Sequence, residues 1–134
     1  MEDTTLLHRQ IHPSFVQNNT ISIQAFMNKK DISSLSFTPS SKDESKLSVY
    51  NGDTFTAEES YNHYTKSFKS CGVLSVSKDE ITSIENLHID DDNNPFNGHS
   101  SIDFSQVVSK NHIKIKAQQL RNFAVKRNWS FIKK

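Results

Sequence analysis

No apolar run in this chain is longer than three residues. A helix crossing a bilayer needs about 20 apolar residues in succession, so no transmembrane span is expected. What such a chain can build is short strands and amphipathic helices, each with one face to bury. Leu, Ile, Val and Phe supply 34 of its 134 residues and the net charge is +1, so it lacks the low-hydrophobicity, high-charge signature of disorder. That length predicts one domain, residues 1–134. The opening Met1–Leu7 has neither a cationic nor a hydrophobic stretch, and no signal peptide is expected. One lone cysteine, Cys71, excludes a disulfide framework and a cysteine-based zinc site.

The small net charge hides a division. Residues 1–103 carry all fifteen acids and eight of the sixteen Lys and Arg; residues 104–134 carry the other eight bases and no acid. A terminal segment with Lys114, Lys116, Arg121, Lys126 and Arg127 could bind phosphates or an acidic protein, or dock on the chain's own acidic body.

Several segments carry readable local signals. Leu6–Ile11 reads as a short strand or extended entry, broken at His12-Pro13, because the residue before proline is pushed out of the helical region. Residues 20–26 alternate as a strand, and a loop follows with a short strand near Ser34–Phe37. Leu47–Tyr50 alternates again and ends in a turn at Asn51-Gly52-Asp53. Thr56 and Glu59 have capping-box spacing, predicting a helix from about Ala57 to Ser67 with Tyr61, Tyr64 and Phe68 on one face. Cys71–Val76 reads as a buried strand. Ser77 and Glu80 repeat the capping logic at a short helix over 78–85. Brief strands are expected at Leu87–Ile89 and Ser101–Phe104, with the acidic loop Asp90–Pro95 between them. Ile113, Ala117, Leu120 and Ala124 mark a long basic helix, and Trp129–Ile132 an edge strand. The expected fold is therefore α+β, or α/β, with four to six short strands, a capped middle helix and a long basic C-terminal helix.

Catalysis needs groups that titrate or attack, and the six histidines are the first place to look. His8 and His12 lie four apart with Arg9 between them. The extended path into Pro13 weakens a shared metal face, and no Glu stands beside them as in a zincin motif. A structural role and contact with a phosphate or substrate are the other readings. His63 falls at the boundary of the middle helix, and His99 at the mouth of a strand with Asp103 nearby. If His8, Arg9, His12, His63 and His99 converged, paired imidazoles could move protons in metal-independent phosphodiester chemistry. Asp90, Asp92 and Asn94 match the first positions of a calcium loop, but Pro95 stands where Gly is required and Ser101 where Glu belongs. No metal is expected there. No Gly-rich phosphate loop and no nucleophile elbow occur, so no cofactor is expected.

The stretch from Leu7 to Gln17, Lys42-Asp43-Glu44, the run Leu47–Asp53 and the Ala117-x-x-Leu120-Arg121 helix ending near Trp129 resemble an uncharacterised family of small bacterial proteins. The resemblance spans nearly the whole chain, with extra residues here around Ala25–Asp31. It implies a bacterial single-domain protein and no particular activity.

On these grounds the leading expectation is a non-catalytic cytoplasmic binding module, an accessory subunit that docks on a protein partner. A histidine-based enzyme acting on a phosphodiester or nucleotide is the second reading. Nucleic-acid binding by the basic helix is the third, with Phe123, Trp129 or Phe131 stacking on bases. No membrane partner is expected, and the sequence fixes no oligomeric state.

Overall fold

The segment read as the chain's extended entry, Leu6–Ile11, becomes strand β1 near the middle of a sheet. The computed structural model describes residues 1–17, 31–40 and 45–133. Around β1 stand β4 (Lys46–Asn51) on one side and β5 (Gly72–Ser77) on the other. Beyond β4 lie β7 (His99–Asp103) and then β6 (His88–Asp90); beyond β5 lies β8 (Phe131–Ile132), giving the order β6-β7-β4-β1-β5-β8. A separate two-stranded ribbon pairs β2 (Val16–Gln17) with β3 (Asp31–Ile32). Every neighbouring pair is antiparallel, so the fold is α+β. The strand-into-helix step at Ser77, which favoured α/β in sequence, has no parallel crossover behind it.

Among the described residues three α-helices join the sheet: α1 (Ala57–Tyr64), α2 (Lys78–Thr82) and α3 (Lys110–Arg127). Both capping boxes form as their spacing requires, Thr56 with Glu59 and Ser77 with Glu80. At α3 the Ser109 hydroxyl accepts the His112 N–H. The first two helices stop earlier than expected. Thr65 bonds the Tyr61 carbonyl after α1, and Thr82 and Ser83 bond carbonyls of the α2 turn. Such hydroxyls offer the backbone local alternatives to continued helix.

Strand register sorts the side chains. Leu7, Ile11, Leu47, Val49, Leu74, Val76 and Ile102 meet Ala117, Leu120 and Ala124 of α3, with Phe37 and Phe104, in one hydrophobic core. The opposite face carries α1, seated through Gln10 on Ser60 and through Tyr61 on Phe131. With elements on both faces, β5 is buried at all six positions.

Two local expectations change. Ser34–Phe37 is a 3₁₀ turn and not a strand: the Ser33 hydroxyl accepts the Leu35 N–H, and the Ser36 hydroxyl donates to the Ser33 carbonyl. Serine-rich sequence favours such local bonding over a ladder. The strand expected at 20–26 lies outside the described residues. Among the described residues, no helix is long and apolar enough to cross a membrane.

Candidate functional site

On the α1 face the register lays His99, Tyr50, His8 and Ser75 in a row across four strands, His99 opposite Tyr50, Tyr50 opposite His8, and His8 opposite Ser75. A cavity of about 260 Å³ opens over this row, with His8, Arg9, Tyr50, His63, Phe96 and His99 in its wall. Four of the five residues singled out as a possible constellation therefore come together. His12 does not join them: it is exposed, caps the Pro13–Phe15 turn and bonds Ser14.

Two of the four are committed to the scaffold. His8 is 4% exposed. A carbonyl only accepts, so His8 Nε2–H donates to the Phe55 carbonyl at 3.1 Å and Nδ1 accepts from the Ser75 hydroxyl at 2.7 Å. Ser130 in turn donates to Ser75. Both ring nitrogens are used, which leaves His8 no lone pair for chemistry. Arg9 donates Nε–H to the Ser36 carbonyl at 2.8 Å and Nη1–H to the Ser48 carbonyl at 2.9 Å, tying the 3₁₀ turn to β4.

Burial drives the His8 pKa below its ordinary 6.5, only partly opposed by the bond to Phe55. The unfolded chain then binds a proton that the folded chain refuses. Stability from this group is full above pH 6.5 and is lost as pH falls from there to the lowered folded-state pKa. Urea unfolding just above and just below pH 6.5 is expected to show wild type weakening on acidification and His8→Gln weakening less. Equal slopes would contradict this assignment.

The other two imidazoles are oriented in opposite senses. The Tyr50 hydroxyl, 2.8 Å from His63 Nδ1, has no other hydrogen-bond partner among the described residues. With Tyr50 as the donor, the His63 proton sits on Nε2. Burial and then the charge of Tyr64 push the Tyr50 pKa up to about 12, so the donor keeps its proton. His99 Nδ1 lies 2.6 Å from Asp92 Oδ1. Burial works against the Asp92 carboxylate, but hydrogen bonds from His99, Ser101 and Asn94 outweigh it and hold its pKa below the usual value. The carboxylate accepts Nδ1–H, leaving Nε2 of His99 open. Neither Nε2 has a hydrogen-bond partner among the described residues. No buried side-chain polar atom among those residues lacks one, so both Nε2 atoms meet solvent. With Tyr50 as the donor and His99 neutral, His63 presents a donor and His99 an acceptor.

Phe96 ties the two together, its ring centroid 4.5 Å from that of His63 and 5.4 Å from that of His99. It also packs on Tyr50 and Phe55 at 5.2 and 5.9 Å. Tyr64 stacks with Phe68 at the margin, and Phe68 is 64% exposed. Of Tyr61, Tyr64 and Phe68, read in sequence as one helix face, only Tyr61 is buried.

Sequence reading missed Asp92, Tyr50 and Phe96 as parts of this cluster. It placed Asp103 near His99, but Asp103 instead accepts the Ser105 backbone N–H. The signal for Asp92 was the β6–β7 hairpin, whose register sets Asp90 opposite Ser101. The acidic turn lies largely at the surface, where Asp90 pairs with Lys46 at 3.0 Å and Asp91 accepts from the Ser100 hydroxyl. No cluster of three or more potential metal ligands occurs among the described residues.

The basic helix divides. Arg127 docks on the body through the Ser75 carbonyl and Glu80, 2.5 Å away, and Arg121 reaches Asn122 and the Ile32 carbonyl. Lys114, Lys116 and Lys126 form no ion pair among the described residues. No protein-family model matches the chain, and no curated protein or solved structure matches it either.

Proposed function

We propose that this chain is a binding module whose cavity holds a small, planar, uncharged ring bearing both a hydrogen-bond donor and an acceptor. One observation carries this reading: His63 and His99, each bonded at Nδ1 and open at Nε2, flank the same aromatic wall, and Tyr50 as donor to one and Asp92 as acceptor from the other would give an N–H edge and a lone-pair edge. A ring stacked near Phe96 can satisfy both at once, as a lactam does with its N–H and C=O. Small-molecule sites combine apolar walls with a few placed polar groups in this way. At about 260 Å³ the space suits a single ring.

Calorimetric titration with 2-pyridone and with uracil tests the proposal. Saturable binding is expected for both, and much weaker binding for benzoate, whose charge would face Asp92. Phe96→Ala and His99→Phe are each expected to weaken 2-pyridone binding about tenfold, the effect of losing one aromatic contact or one buried hydrogen bond. If neither probe saturates, or if both variants bind as wild type does, the reading is wrong.

A further inference from the structure

We propose that the same two imidazoles hydrolyse neutral aryl esters that fit the cavity, an inference that rests on the ligand-binding reading above. Asp92, His99 and an open Nε2 form the arrangement that makes imidazole an effective general base: the carboxylate fixes the tautomer and ring orientation, then stabilises the imidazolium that forms. Asp92 is itself fixed by the Ser101 hydroxyl at 3.0 Å. The second requirement, a donor for the charge that develops on the carbonyl oxygen, is met by His63 Nε2–H, set in that state by Tyr50. The aromatic wall supplies a surface for the aryl group.

No serine or cysteine among the described residues bonds His99 Nε2, so water is the nucleophile. His99 takes a proton from water as the water oxygen bonds to the acyl carbon. His63 donates to the carbonyl oxygen of the tetrahedral intermediate. The carbon–oxygen bond to the aryl group then breaks, and the imidazolium returns its proton to the departing aryl oxygen. The products are one carboxylic acid and one phenol, and His99 is neutral again. Asp92 behind His99 disfavours an anion at that end of the cavity, whereas a neutral ester meets no such repulsion.

The test uses the full chain with 4-nitrophenyl acetate, following 4-nitrophenolate release over many turnovers per chain. Wild type is expected to exceed free imidazole at equal concentration by about 100-fold or more, the lower end of what positioned acid–base groups contribute. His99→Ala is expected to remove that advantage. His12→Ala, outside the cavity, is expected to leave it intact. Asp92 is a positioning residue, and Asp92→Asn is expected to lower kcat while leaving KM nearly unchanged, a split that general loosening of the fold would not give. Competitive inhibition by 2-pyridone ties the rate to the cavity even if a variant folds poorly. A wild-type rate no better than free imidazole, or full activity in a folded His99→Ala, overturns the inference. If 2-pyridone binds but the ester is not turned over, only the inference fails; if 2-pyridone does not bind, the binding reading fails with it.

Discussion

Phe37→Ala is expected to cost about 3–5 kcal/mol, the range for emptying a fully buried aromatic site. Phe37 is 0% exposed and sits in the core with Leu7, Ile11 and Leu120. It is also the last residue of the 3₁₀ turn whose Ser36 carbonyl takes Arg9 Nε–H. The cavity left behind therefore loosens both the α3 face of the sheet and a residue lining the pocket on the other side. A domain of this size typically has about 5–15 kcal/mol in total, so the loss is a large share of it. Urea unfolding should show a lower midpoint with an unchanged slope, the mark of lost stability in an unaltered two-state transition. A change below about 1 kcal/mol, the scale of an ordinary surface substitution, would mean the turn does not pack as described.

Gly98→Ala is expected to be the second most damaging change, by two additive routes. Gly98 has φ +96°, where a Cβ costs roughly 1–2 kcal/mol. That Cβ would also lie 2.6 Å from the Phe55 ring and 2.8 Å from the Thr54 methyl, an overpacking that costs about 1–3 kcal/mol more. The Phe55 carbonyl is the partner of His8 Nε2, and the Phe55 ring packs on Tyr50 and Phe96. The stability loss should therefore come with weaker 2-pyridone binding. Unfolding and calorimetry on one preparation check both, and unchanged binding would separate Gly98 from the cavity wall.

What was legible in the sequence was local. Thr56 with Glu59 and Ser77 with Glu80 announce helix starts because a capping box closes within four residues, and the α3 pattern is written in its own periodicity. Alternation likewise exposed β4, while β5 was legible as a short apolar run that is buried at all six positions. The site was half legible. His8, Arg9, His63 and His99 were chosen for their chemistry and do share a cavity, yet nothing in sequence distinguishes His8, with both nitrogens bonded, from His99, with one open. That difference depends on which strand lies opposite which. The Asp92–His99 pair depends on a hairpin register, and Phe96 belongs to no periodic segment. His12, four residues from His8, was lost to the cavity because the chain turns at Pro13 and the imidazole bonds Ser14 instead.

The strand order has a consequence for how the molecule comes into being. β1 is made first, yet its two neighbours come from residues 46–51 and 72–77. On a ribosome it emerges before either neighbour, and its second partner is complete only at residue 77. Closing contacts across such sequence separations is entropically slow. Acquisition of the native state is thus gated by late-made chain, and a nascent fragment ending before residue 72 leaves one edge of its earliest strand without the partner on which the finished sheet relies.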